Sequence, residues 1–282
     1  MKFELGRLNP SLWDPEYVAL IAHNEKPTQT SIGTLERGPF KEGLSSFHPN
    51  ELGKNILQDI QQRTGLKENI QYGNSNDPSA AGFYAGRQPE ENPNKRTVFF
   101  TGTNPTLEIF AHEAGHSADP LLPQLNKQSA EFNGAYANSL KTPAERLNYV
   151  WNQGASLPTS SFFGAQNVGF PAVQAETEAQ RFAKEYLNKV SPTAAQAFTS
   201  DPWFKNYPKT YGDATIQAAY NAELPAARWF TPEENQPGLG SEMIVKPTGA
   251  YNALKLALDP DFQKASKNIL QETQSYVNTV LR

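Results

Sequence analysis

Two apolar periods alternate along the chain. Between residues 50 and 65, Leu52, Ile56, Leu57 and Ile60 recur at helical spacing. They predict a first helix, opened by Pro49 or Asn50 and closed at Gly65. The period then shortens. Asn69–Gly73, Ala81–Arg87 and Arg96–Thr101 read as short strands, separated by turn-rich segments at 74–78 and 88–94. Helical spacing returns with Leu107, Phe110 and Ala111, which predict a helix over Thr106–Ser117 with Asn104 as N-cap and Pro105 as its first residue. Further helices are expected over Leu122–Leu140, Pro143–Asn152, Ala172–Val190, a segment after Ser191-Pro192 to Phe198, Ala214–Leu224, and Ala250–Leu281 with a break at Asp259-Pro260. The Thr142–Glu145 capping box opens the second of these. Residues 153–171, with Phe162, Phe163 and Phe170, read as loop, and so do the stretch from Asp201 to Tyr211 and residues 225–249.

The first 50 residues show little period and are punctuated by Pro10, Pro15, Pro27, Pro39 and Pro49. The expected organisation is an extended N-terminal arm over 1–49, a core over 50–190 and a helical C-terminal region over 191–282 packed on that core. The expected fold class is α+β: a small mixed or antiparallel sheet, then a helix, then a mainly helical C-terminal half. An arm of such length suits docking on a neighbouring subunit.

Composition narrows the function. The 282 residues carry a net charge of −4, so no basic excess points to nucleic acid. No 18-residue apolar run predicts a membrane span, and the first residues lack the apolar stretch of a signal peptide. These features fit a cytoplasmic or virion-associated protein. The absence of Cys removes disulfides, thiolate metal sites and thiol nucleophiles together.

The chemistry concentrates at His112-Glu113-Ala114-Gly115-His116, which reads H-E-x-x-H. Residues four apart share one helix face, so both imidazoles can turn to one ion. Glu113 lies between them, where a carboxylate can take a proton from an activated water. The chain has only 4 His. Random shuffling of this composition yields the looser pattern H-(D/E)-x-x-H roughly 0.004 times per chain, so chance is a weak rival. The motif also falls on a helix directly after a strand. His23 and His48 lie far from it and read as ordinary residues.

Two neutral imidazoles leave a zinc ion in need of a third ligand, and without Cys a carboxylate must supply it. Asp119 follows His116 too closely for easy reach and reads as a supporting or helix-end residue. The Glu176–Ala183 stretch, ETEAQRFA, is the better source, because Ala175 and Ala179 would let its helix approach the motif closely.

Across residues 50–190 the motif and the ETEAQRFA stretch resemble the gluzincin branch of the zincin metallopeptidases. The resemblance implies a zincin-like catalytic core, a Zn²⁺ cofactor held by His112, His116 and Glu176, with Glu178 as the fallback ligand, and Glu113 as general base. It also implies a supporting residue at position 180, where this chain has a neutral Gln180 instead of Asp or Asn. A polypeptide substrate would lie as an added strand along Arg96–Thr101 or Ala81–Arg87. Tyr186, Tyr211 and Arg181 are the residue types available to stabilise the transition state. The alternative expectation is a structural or assembly component of a viral or phage particle built on a zincin scaffold, with weak or no activity.

Overall fold

The structure, a computed structural model, describes residues 30–36, 46–64, 70–72, 82–85, 97–122, 124–125, 140–153, 155–156, 167–223 and 256–282. Its class is mixed α+β and mostly helical. Strands β1 (Gly33–Glu36) and β2 (Ser46–Pro49) form an antiparallel pair with Gly33 opposite Pro49. Gly33 has a φ of +154°, and a Cβ there would lie 2.4 Å from the His48 carbonyl oxygen, so a side chain cannot fit. Ile32 and Leu35 turn into the core. Within the arm expected over 1–49, residues 33–36 and 46–49 form this strand pair. Its apolar positions were too few to show a period. Residues 1–29, where most of the arm was expected, lie outside the described residues.

Asn50 opens helix α1 (Glu51–Thr64) by accepting the Gly53 N–H at 2.8 Å on its side-chain oxygen. The helix buries Ile56, Leu57 and Ile60, while Leu52 stays at the surface. Strands β3 (Ile70–Tyr72), β4 (Gly82–Ala85) and β5 (Thr97–Phe100) form one sheet in the order β3-β5-β4. β5 is parallel to β3 and antiparallel to β4. It is therefore the central strand. The expectation that Arg96–Thr101 offers an open edge is corrected, and β4 holds the outer position next to the motif helix.

Helix α2 (Leu107–Ala118) carries the motif. Its N-cap is Thr106, not Asn104, and the Thr106 side chain makes no capping bond. The reason lies 75 residues upstream. Ser31 bridges Thr106, the Leu107 N–H donates to the Thr30 carbonyl at 2.8 Å, and the Ile32 N–H donates to the Pro105 carbonyl at 3.0 Å. The Glu108 carboxylate in turn accepts the Thr30 N–H at 3.1 Å. A strand-like segment satisfies the helix start that a side chain was expected to cap.

The later elements are α3 (Pro143–Gln153), the short pair β6 (Ala155–Ser156) and β7 (Asn167–Val168), α4 (Phe170–Val190), α5 (Pro192–Ser200), α6 (Pro202–Glu223) and α7 (Pro260–Leu281). The Thr142 hydroxyl accepts the Glu145 N–H at 3.2 Å and the Glu145 carboxylate accepts the Thr142 N–H at 3.0 Å, a reciprocal capping box. The Asp201–Tyr211 loop is corrected to helix. α6 runs through with Pro208 inside it. Pro208 is buried, so packing overrides the local break that a proline signals. Phe170 is not a loop aromatic but the first residue of α4, ring-packed against Trp151 and Tyr276 at 5.5 and 5.1 Å. The larger part of the helix expected over Leu122–Leu140 lies outside the described residues. No described helix is long and apolar enough to cross a membrane.

The chain divides into two compact units, and both are discontinuous in sequence. One comprises 16–125, 174–206 and 280–282; the other comprises 1–15, 126–173 and 207–279. The first unit holds a core of Ile32, Leu35, Ile56, Ile60, Val98 and Phe100 with Leu107, Phe110, Tyr186 and Leu187. In the second, the Trp151 indole N–H donates to Glu272 at 2.9 Å, and the Gly169 N–H donates to the Thr215 hydroxyl at 3.0 Å.

Candidate metal centre

His112, Glu113, His116 and Glu176 all lie within the first unit. Helix α2 turns both motif histidines the same way, as their four-residue spacing requires. Their rings meet edge to face at 4.9 Å. Helix α4 meets α2 at Gly115. A Cβ on Gly115 would lie 2.8 Å from both the Cα and the carbonyl oxygen of Ala179, so the two backbones touch. A side chain at 115 would force them apart. The approach brings Glu176, one turn before Ala179, onto the histidines.

One oxygen of Glu176 lies 3.1 Å from His112 Nε2 and 3.4 Å from His116 Nε2. The three ligand atoms all fall within 4.8 Å of one another, so the group could hold a metal. Zinc bonds of 2.0–2.2 Å at tetrahedral angles imply neighbouring donors about 3.3 Å apart; the two carboxylate contacts lie near that spacing, and the whole group spans up to 4.8 Å. The donor set, two imidazoles and a carboxylate, also suits zinc. The His112, His116 and Glu176 side chains keep 9%, 10% and 26% of their surface.

The charges are coupled. Burial alone would push the His116 imidazole down. Glu176 against it, with Glu113 and Asp119 nearby, pushes it up to about 9. Burial would raise Glu176, but the two histidines hold it well below the usual carboxylate range. Histidine and carboxylate thus stabilise each other's charged forms.

Glu113 is 6% exposed. Its Cγ would sit 3.8 Å from a Cβ on Gly82, so it lies beside strand β4. Glu178, the fallback ligand, instead receives Arg181 at 2.7 Å on the outer side of α4. Asp119 is not in the ligand group. It ends α2, its N–H bonded to the Gly115 carbonyl at 3.1 Å and its Oδ1 accepting the Leu121 N–H at 2.8 Å. Gln180 is fully buried, and neither amide atom has a hydrogen-bond partner among the described residues.

Two candidate transition-state stabilisers fall away. Arg181 pairs with Glu178 and Glu185 at the surface. Tyr186 stands ten residues past Glu176, about 15 Å along the helix. Its phenol is pushed up by burial and by the Asp59 carboxylate beside it. Tyr211 belongs to the other unit. Sequence reasoning missed Gly82, whose missing side chain leaves room for Ile109 beside Glu113. A glycine in a short strand was the available signal.

Compared with protein-family models, curated proteins and solved structures, the chain matches none.

Proposed function

We propose that the protein is a zinc-dependent metallopeptidase of the zincin type, hydrolysing peptide bonds with Glu113 as general base. The observation that carries this reading is the convergence of His112, His116 and Glu176 with a buried carboxylate, Glu113, inside the same helix turn. Bound there, zinc supplies Lewis acidity, bringing the pKa of a water to about 7 and polarising a carbonyl. Glu113 takes the proton of the attacking water and hands it to the leaving amine. Its burial keeps bulk water from competing for that proton. Glu176 supplies the negative charge that two neutral imidazoles lack. The outer edge of β4 receives an extended peptide by strand addition, with Glu113 beside Gly82 of that strand.

The test is Glu113→Gln. Zinc content by elemental analysis stays at one ion per chain, and cleavage of a denatured protein falls by about 10²–10⁴-fold or more. Zinc binding with equal cleavage by both forms would end the peptidase reading and leave a structural scaffold with a metal.

A further inference from the structure

We propose that Thr30–Ile32 is a latch on the motif helix, closed by Glu108, and that its seating sets how well His112 and His116 hold a metal. The metal part rests on the reading of His112, His116 and Glu176 as zinc ligands. Three successive carbonyls of the segment serve helix starts. Thr30 accepts the Leu107 N–H at 2.8 Å, Ser31 accepts the Asn50 side-chain N–H at 2.9 Å, and Ile32 accepts the Asn50 backbone N–H at 3.1 Å. The segment thus ties the start of α1 to the start of α2. A Cβ on Gly53 would lie 2.0 Å from the Ile32 carbonyl oxygen, so there is no slack on the α1 side.

On the α2 side the hold depends on Glu108. Its buried carboxylate accepts the Thr30 N–H at 3.1 Å on both oxygens. Burial pushes this carboxyl up, and the Thr30 bonds hold it down. A buried carboxylate is costly without a donor, so Glu108 needs Thr30 in place. The helix needs it too, because the Thr106 side chain makes no capping bond. Glu108, His112 and His116 follow at four-residue intervals within α2. In an α-helix the His112 N–H then donates to the Glu108 carbonyl, and the His116 N–H to the His112 carbonyl. The latch and both histidines therefore share one hydrogen-bonded row. When Thr30 leaves, the Leu107 N–H at the helix start loses its acceptor and the first turn loosens. The next turn carries His112. An event that draws Thr30 from Glu108 thereby weakens the metal group, and a bound metal tightens the latch by the same factor.

The experiment uses the full chain and zinc alone. Zinc affinity is measured by competition with a chromophoric chelator, and amide exchange at Ile32 and Leu107 by NMR with and without zinc. Thr30→Pro removes the donor, Glu108→Ala removes the acceptor, and Glu108→Gln keeps an acceptor. In Thr30→Pro and Glu108→Ala, the Leu107 N–H of the metal-free chain exchanges faster and zinc affinity falls by about 5-fold or more. Glu108→Gln stays close to wild type. Thr30→Pro leaves every charge in place, so its loss is not one of charge. The two changes combined weaken binding no further than either alone, as one shared bond requires. Faster exchange at Leu107 with wild-type zinc affinity in Thr30→Pro overturns the latch and leaves the zinc site intact. Zinc that leaves wild-type exchange at Ile32 and Leu107 unslowed overturns it as well, with no variant needed. A wild-type chain that takes up no zinc ends the metal reading and this inference with it.

Discussion

Helices α2 and α7 obey opposite rules. α7 buries Phe262, Ala265, Ile269, Thr273 and Val277, a single stripe three and four residues apart, and turns its charges outward. Asp259 caps it through the Asp261 and Phe262 N–H groups, both at 2.9 Å. α2 buries Leu107, Phe110, Ala111 and Ala114 in the same way, and then also buries Glu108, His112, Glu113 and His116. Nothing about helix stability asks for four ionisable side chains inside, and burying them is costly. The difference separates a helix whose buried face holds no ionisable side chain from one that also brings ionisable side chains inside.

The largest expected difference between the two helices is in their response to pH. In the metal-free protein His116 holds its proton up to about pH 9, and zinc needs the neutral ring. Zinc affinity therefore rises with pH by up to about tenfold per unit until pH 9 and then levels off. Calorimetry in two buffers of different ionisation enthalpy reads the released proton. The raised pKa also contributes stability to the metal-free chain. That contribution is complete below about 6.5 and is lost as pH rises through about 9, so the melting temperature falls across that window. An affinity flat from pH 6 to 9 would detach His116 from the metal.

Stability should divide along the same line. Ile269→Ala in α7 costs about 2–5 kcal/mol in denaturant unfolding and leaves zinc affinity alone. Gly115→Ala in α2 costs less, about 1–3 kcal/mol, because its methyl meets the Ala179 backbone. It nevertheless weakens zinc binding, since Glu176 must withdraw with α4. If Gly115→Ala lowers stability and leaves the affinity unchanged, the close approach serves packing alone.

The smallest effect tests the unserved amide. Gln180→Met keeps the shape and removes two buried polar atoms without described partners, so it stabilises the protein by about 1 kcal/mol. A destabilised variant would mean that Gln180 has a donor or acceptor to satisfy.

Much of the site could be read from the chain. The four-residue spacing of His112 and His116 fixes a shared face, and Ala175 and Ala179 announce a close helix around Glu176. Local patterns also located α1, the strands of the three-stranded sheet and α4 to within a few residues. What could not be read depends on partners distant in sequence. The start of α2 is satisfied by Thr30–Ile32, so no local cap was there to find. The central place of β5 follows from a parallel pairing with β3, which alternation cannot reveal. Pro208 looked like a break because its packing is invisible in one dimension.

The contact of Gly115 with Ala179 acts as a fulcrum. His116 is one residue from it and Glu176 three, so the ligands stand within about 5 Å of the crossing point along their helices. A tilt of one helix on the other by about 10° would then move these side-chain anchors by less than about 1 Å, while the far ends of the same rods swing several times further. The His112, His116 and Glu176 group thus sits near the still point of the crossing, where the rest of either helix can shift with its surroundings and leave the three side chains in register.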